Sequence, residues 1–194
     1  MVNVELNKQA KLSEHYTLGE LTKTSVKSLD GNIPSHEAIE NLKRLCSWLE
    51  ELRYTYNSLY CLKPGEDYET SKNVEPIVIT SGYRSPDVNR AVGGAGSSNH
   101  LTGCAVDIRC AGVEQAIRYA AILLDAADDR QEDLTSSRVC SHSAESMQAS
   151  LCARSTADFD ELLIERNRKG HYWVHFAVRP PKEGNRRKVM FIQT

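Results

Sequence analysis

Apolar residues repeat at helical spacing in one long segment of the first half of the chain. The segment follows Pro34, and its apolar positions are Ile39, Leu42, Leu45, Cys46, Leu49 and Leu52. Ser35 is suited to cap a helix at this point, and Glu37 carries a charge that favours the positive end of the helix dipole. The pattern predicts an amphipathic helix over residues 35–56 whose apolar stripe belongs to the core.

A second helix is predicted over residues 114–125, with an apolar stripe formed by Val113, Ala116, Ile117, Ala120 and Leu124. Residues 1–34 read as an irregular lead-in with a short helix around residues 18–21. Residues 127–157 are polar and rich in serine and lack periodicity, which predicts a surface insertion. A chain of 194 residues suits one domain, so we expect a single catalytic domain that includes the lead-in and the insertion.

Five segments have the composition of β-strands, namely residues 76–80, 105–109, 159–165, 172–178 and 188–193. The third and fourth are separated by a short polar turn and are expected to pair, and the last is expected at an edge. These elements predict an α+β domain with a small, mainly antiparallel sheet. We expect the two long helices on one face of the sheet and the candidate site on the other.

Two strands carry a possible metal ligand on the face opposite their apolar residues. Asp107 alternates with valine and isoleucine in the strand at 105–109, and His175 alternates with valine and phenylalanine in the strand at 172–178. His100 lies seven residues before Asp107, in the preceding loop. Two imidazoles and one carboxylate can hold zinc and leave a fourth position for water, which predicts a hydrolase.

Each of these residues, taken alone, also has a simpler interpretation. A lone histidine on a strand is usually a hydrogen-bonded residue without a ligand, and an aspartate near glycine is usually a turn former. A purely structural metal is disfavoured, because structural zinc sites usually have four protein ligands. The combination of all three residues favours the metal interpretation.

A series of motifs resembles one enzyme family. Residues 81–85 read SGYRS, Asn89 and residues 92–94 (VGG) follow, residues 98–107 read SNHLTGCAVD, and residues 173–175 read WVH. The series resembles the zinc D-Ala-D-Ala carboxypeptidase family, whose pattern is SGYRS, S-x-H-x-x-G-x-A-x-D and W-x-H. That family includes the vancomycin-resistance dipeptidases and phage endolysins, among them L-Ala-D-Glu endopeptidases and members with a peptidase C-terminal-type domain.

The resemblance covers most of the chain outside the insertion and implies a Hedgehog/D,D-peptidase-like fold. It implies that His100, Asp107 and His175 are zinc ligands. It also implies that Arg84 polarises the substrate carbonyl or holds its carboxylate, tasks for which a guanidinium offers several donors in a fixed fork. The alternative for Arg84 is a structural ion pair. Ser98 is suited equally to orienting the loop and to touching substrate.

The general base is the point at which the sequence departs from the simplest family pattern. Many relatives place Glu or Asp three residues before the last histidine, where this chain has Tyr172, a poor base at neutral pH. Glu165 is the better candidate, since other relatives carry a comparable glutamate before W-x-H. His171, predicted on the same strand face as the last histidine, is a second candidate as base or transition-state donor. The alternative for Glu165 is a surface carboxylate paired with a neighbouring basic residue.

Composition and charge limit the classes of partner and the cellular location that we expect for this protein. The net charge of −2 gives no electrostatic reason to expect nucleic acid, and no apolar run has the length of a membrane span. The N-terminus lacks the apolar region of a secretory signal, so we expect a monomer that is cytoplasmic as synthesised. Action on the cell wall after release and recycling of wall peptides inside the cell are both consistent with this expectation. Of six cysteines, Cys46 and Cys104 are expected as buried free thiols. A disulfide or second metal site at Cys140 and Cys152 is disfavoured.

These observations predict a zinc peptidase that acts on the stem peptides of peptidoglycan. D,D-carboxypeptidase and endolysin-type endopeptidase activities are both consistent with the motifs. The alternative from another class is a non-catalytic, zinc-containing cell-wall binding module that has lost its general base. Tyr172 keeps that alternative open, whereas the intact ligand set and Arg84 argue against it.

Overall fold

The computed structural model describes residues 6–136, 158–180 and 183–193. The helices are α1 (Leu18–Leu21), α2 (His36–Tyr60), α3 (Pro86–Ala91) and α4 (Val113–Ser136), with a 3₁₀ helix at Asn99–Thr102. The strands are β1 (Ile79–Ser81), β2 (Ala105–Cys110), β3 (Glu161–Arg166), β4 (Tyr172–Ala177) and β5 (Lys188–Gln193). None of the helices in the described ranges is long and apolar enough to cross a membrane.

The five strands form one sheet in the order β1-β2-β4-β3-β5. All neighbours are antiparallel except β3 and β5, which run parallel. The mainly antiparallel α+β fold is therefore confirmed, and so is the pairing of β3 with β4. One sheet face is apolar and packs against α2 and α4; its fully buried members are Val106, Ile108, Leu162, Val174 and Phe176. The opposite face remains for polar residues, because side chains alternate along each strand.

Helix α2 has the predicted apolar stripe and cap. Ser35 Oγ accepts a hydrogen bond from the backbone N–H of Ala38 at 3.1 Å. The helix runs four residues beyond the predicted end, to Tyr60. Asn57 is fully buried in this extra turn, where its Nδ2 donates to the carbonyl of Glu75 at 3.0 Å and its Oδ1 accepts the N–H of Glu75 at 2.6 Å. A contact distant in sequence therefore stabilises the turn.

Helix α4 differs more from the expectation. It continues to Ser136 instead of ending near residue 125, and Ala127 is fully buried against the core. Arg130 is held by α2, since its Nε donates to Glu51 Oε2 at 3.1 Å and its guanidinium lies 3.9 Å from the Trp48 ring centroid. Residues 127–136 of the expected insertion are thus helical. The remainder of that insertion, including both of its cysteines, lies outside the described residues.

The buried side of α4 also differs from the prediction. Val113 and Ile117, both placed in the predicted stripe, are 41% and 54% exposed. Tyr119 and Leu123 take their place in the core. The ring of Tyr119 packs against that of Tyr56 on α2, with centroids 4.8 Å apart, so a contact between the two helices decides which side of α4 is buried.

Strand β1 and two of the cysteines were also the subject of predictions. Strand β1 is short and irregular, with a register shift against β2, and only residues 79–81 are strand. Cys46 and Cys104 are buried free thiols, as predicted.

Candidate metal centre

The three predicted ligands converge on the polar face of the sheet. Asp107 on β2 lies directly opposite His175 on β4, and the 3₁₀ helix brings His100 beside them. One ligand atom from each residue lies within 4.8 Å of the others, and all three residues are buried. Asp107 Oδ1 is 3.2 Å from His100 Nε2 and 2.9 Å from His175 Nδ1.

Residues at both ends of the 3₁₀ helix hold His100 in place. Ser98 is the N-cap, and its Oγ accepts the backbone N–H of His100 at 3.4 Å, so a loop-stabilising role of this serine is observed. Gly103 ends the helix at φ +72°. A Cβ at this position would lie 2.5 Å from the carbonyl oxygen of Ala38, so only glycine combines this backbone conformation with this close packing on α2.

The outer nitrogen of His100 is anchored to the backbone. His100 Nδ1 lies 2.6 Å from the carbonyl oxygen of Gly82, and because a carbonyl only accepts, the imidazole must donate from Nδ1. In a neutral ring the lone pair of Nε2 then faces the Asp107 carboxylate. Two acceptors that face each other in a buried site are stabilised by a shared cation, so the donor set fits a metal ion.

His175 presents the opposite nitrogen to the centre. Its Nδ1 faces Asp107, while its Nε2 lies 3.5 Å from Glu161 Oε2. Burial alone would lower the pKa of His175, but hydrogen bonds to the two carboxylates outweigh burial and raise that pKa to about 9. Burial likewise would raise the pKa of Asp107, and the two histidines, His100 first, hold that pKa below its usual range. Without a metal ion, therefore, the cluster carries its charge on carboxylate and imidazolium.

Arg84 joins the SGYRS segment to the same carboxylate. Its Nη2 forms an ion pair with Asp107 Oδ2, and its Nε donates to Ser81 Oγ at 2.8 Å. The backbone N–H of Arg84 also donates to the carbonyl of His100 at 3.0 Å. The structural ion pair considered from the sequence is therefore present, and Arg84 also lines the cavity above the centre.

This cavity measures about 640 Å³ and has the three candidate ligands in its wall. Glu165 and Trp173, cross-strand partners on β3 and β4, lie in the same wall. Glu165 is half-buried, and among the described residues no ion pair involves its carboxylate. Burial raises the pKa of Glu165 above its ordinary value. Its position in the cavity favours the general-base hypothesis over that of a paired surface carboxylate.

The structure does not bring His171 to the cavity. Its side chain is exposed and its backbone N–H donates to Asn167 Oδ1 at 3.1 Å, within the turn between β3 and β4. Strand pairing begins only at Tyr172, so the predicted alternation does not extend to His171. Tyr172 itself lies on the opposite face of β4 from His175, with its ring centroid 6.4 Å from that of Phe191.

Sequence reasoning missed Glu161, the first residue of β3. Its carboxylate contacts both His175 and Asn99, whose Nδ2 lies 3.1 Å from Glu161 Oε2. Asn99 also donates to the fully buried Asp160 at 2.9 Å. The available signal was the alternation Glu161-x-Leu163-x-Glu165, which puts Glu161 on the same strand face as the candidate base.

Part of the chain matches a known protein family. No curated protein matches the chain, but residues 66–137 match the model of a family described as Peptidase M15. The matched segment includes Arg84, His100 and Asp107 and ends before Glu165 and His175. Residues 66–137 are therefore similar to Peptidase M15, and the His-Asp-His group, of which His100 and Asp107 lie in this segment, could hold a metal ion.

Proposed function

We propose that this protein is a zinc peptidase that hydrolyses peptide bonds in the stem peptides of peptidoglycan, as a D,D-carboxypeptidase or an endolysin-type endopeptidase. One observation carries the proposal. Three buried ligand atoms converge at the wall of a cavity that also presents a carboxylate and a guanidinium, Glu165 and Arg84. A cavity of about 640 Å³ has the size of a site for a short peptide segment.

His100 would hold the metal through Nε2, His175 through Nδ1 and Asp107 through its carboxylate. Zinc suits this set because catalytic zinc sites combine three nitrogen or oxygen ligands with one open position. When bound, zinc supplies a Lewis acid and makes water acidic enough to act as a nucleophile near neutral pH.

Glu165 is the proposed general base. Its raised pKa lies closer to neutral pH than that of an ordinary glutamate, which favours proton uptake from the attacking water. The carboxyl group formed in this step can return the proton to the leaving amine. Its cavity position on β3, beside β4 and the candidate ligands, supports this role better than the exposed turn of His171 does.

Arg84 is the proposed substrate-binding cation. Its Nε is engaged by Ser81 and its Nη2 by Asp107, but a guanidinium has five N–H donors, so others remain for a substrate carbonyl or carboxylate. The ion pair with Asp107 fixes the orientation of these donors toward the cavity. Such fixed donors can stabilise the negative charge that develops on the carbonyl oxygen.

The binding-module alternative requires that no residue replace the missing acid at position 172. Glu165 supplies a carboxylate in the cavity, which favours the enzyme. The two functions make different predictions for the same preparations, because a binding module would retain zinc and wall binding without cleavage.

The test combines metal content with muropeptide hydrolysis for wild type, His175→Ala and Glu165→Gln. A zinc peptidase should hold about one zinc per chain and cleave; the His175 variant should lose both properties, and the Glu165 variant only cleavage. His36→Ala and Glu69→Gln are matched controls, since both residues are exposed and remote in sequence from the cavity residues. Zinc without cleavage by wild type would establish the binding module, and a wild type without zinc would refute the metal centre.

A further inference from the structure

His175 has two carboxylate neighbours, one for each ring nitrogen. Nδ1 faces Asp107 at 2.9 Å, and Nε2 faces Glu161 Oε2 at 3.5 Å. If Nδ1 is the ligand atom, it must lack a proton, and the single proton of a neutral imidazole must be on Nε2. The group beside Nε2 therefore controls which form of the ring is present.

Glu161 is built into the sheet so that its two oxygens have separate partners. Oε1 contacts two cations, Arg186 Nη2 at 3.0 Å and Lys188 Nζ at 3.3 Å. Oε2 accepts from Asn99 Nδ2 at 3.1 Å and lies beside His175. The cations orient the carboxylate from one side, which leaves Oε2 directed at the histidine.

Asn99 connects Glu161 to His100, another candidate ligand. It directly precedes His100, and its Nδ2 donates to both Glu161 and Asp160. Arg186 donates two hydrogen bonds to Asp160, of 2.7 and 2.6 Å, which fixes Asp160 and its partner Asn99 to the start of β3. The loop that carries His100 and the strand that carries His175 therefore meet at one oxygen, Glu161 Oε2.

We propose that Glu161 is a positioning residue for the metal centre, which accepts the Nε2–H of His175 and thereby holds Nδ1 as the ligand atom. The proposal rests on the zinc centre proposed above and assigns a role to a residue outside the ligand set. Without Glu161, the neutral ring gains by moving its proton to Nδ1, where it can donate to Asp107. That form cannot bind a metal through Nδ1. Loss of such an outer partner typically weakens metal affinity by about 10–100-fold.

The competing explanation is that Glu161 only ties β3 to β5 through Lys188 and Arg186. Two substitutions separate these roles. Glu161→Gln keeps an acceptor oxygen for His175 but loses the charge that attracts the cations. Lys188→Met removes a cation from Oε1 and leaves the contact with His175 intact, which makes it the matched control.

The experiment measures zinc affinity by competition with a chromogenic chelator and the tautomer of His175 by long-range ¹H–¹⁵N NMR, on the full chain. We expect zinc affinity about 10–100-fold weaker in Glu161→Ala, a smaller loss in Glu161→Gln, and the wild-type value in Lys188→Met. With zinc bound, wild type should show the Nε2–H form of His175, as ligation through Nδ1 requires, and this form should be lost together with zinc in Glu161→Ala.

Unchanged zinc affinity in Glu161→Ala would overturn the positioning role, and so would equal losses of affinity in Glu161→Ala and Lys188→Met. In either case the proposed function would still stand if wild type binds zinc and cleaves. A wild type that binds no zinc would overturn both. If circular dichroism shows that Glu161→Ala does not fold, the other two variants test the positioning role. Weaker zinc binding by Glu161→Gln together with wild-type zinc binding by Lys188→Met would support the role, and any other result would refute it.

Discussion

Asp107 and His175 are direct cross-strand partners, and Asp107 Oδ1 lies 2.9 Å from His175 Nδ1. The two residues are far apart in the sequence, and the register between β2 and β4 brings them together. A slip of one residue in that register would send one of the two side chains to the apolar face. The candidate metal centre therefore depends on the same pairing that buries the core.

Zinc should stabilise the folded protein, because the converged ligand atoms exist only in the native state. At free zinc about a hundredfold above the Kd, the expected gain is about 2.7 kcal/mol, which scanning fluorimetry would detect as a rise in Tm. Chelation should reverse the rise. His175→Ala should abolish it and His36→Ala should keep it; an equal zinc shift in both variants would place the metal elsewhere.

Glu165→Gln should reduce kcat by about 10²–10⁴-fold, the range typical for loss of a general base. Zinc content should remain that of wild type, because Glu165 is not among the converged ligand atoms. Steady-state cleavage of a defined muropeptide, together with metal analysis, measures both quantities. Glu69→Gln removes an exposed carboxylate and should change neither; a full-rate Glu165→Gln enzyme would exclude this residue as the base.

The pH profile should reflect the environment of Glu165. Burial raises its pKa, and the charges of Asp107 and Glu161 add to this, whereas His175 and Arg84 act in the opposite direction. A base works only when deprotonated, so kcat/KM should be maintained at neutral pH and fall as the pH decreases through the raised pKa. The acidic limb should therefore lie above about pH 4.3, the ordinary value for glutamate. In Glu165→Gln the residual activity should lack this limb, and its persistence would assign the limb to another group.

His171→Ala should retain wild-type activity within about twofold, since surface substitutions away from a site have small effects. Its side chain is exposed and belongs to the turn between β3 and β4. The kinetic assay used for Glu165→Gln is sufficient. A loss as large as that of Glu165→Gln would mean that the turn rearranges over the cavity when substrate binds, and would return His171 to the catalytic residues.

Gly103→Ala should destabilise the fold and loosen the loop that carries His100. Two costs combine: a left-handed backbone, at about 1 kcal/mol or more, and a contact of 2.5 Å between the new Cβ and the Ala38 carbonyl. Gly65→Ala is the matched control, because Gly65 has φ +84° and open space around it. Urea unfolding should show a larger loss in Gly103→Ala, and equal losses would mean that the close packing on α2 contributes nothing.

The element types and the ligand faces were predictable because they depend on local alternation. The stripe of α2 and the polar positions of Asp107 and His175 follow from helical and strand periodicity, which each segment carries in its own sequence. The ends of the helices did not follow in the same way. Asn57 and Arg130 extend α2 and α4 through contacts with residues far away in the chain.

By itself the sequence determined that Asp107 and His175 lie opposite the apolar residues of their strands and that the stripe of α2 belongs to the core. Only the tertiary structure decided their neighbours: it aligned Asp107 with His175, turned His171 to solvent, and brought Glu161 to the outer nitrogen of His175. The physical reason is that periodicity fixes the direction of a side chain within its own strand. The strand that lies beside it, and in which register, is decided by the burial of the whole apolar face.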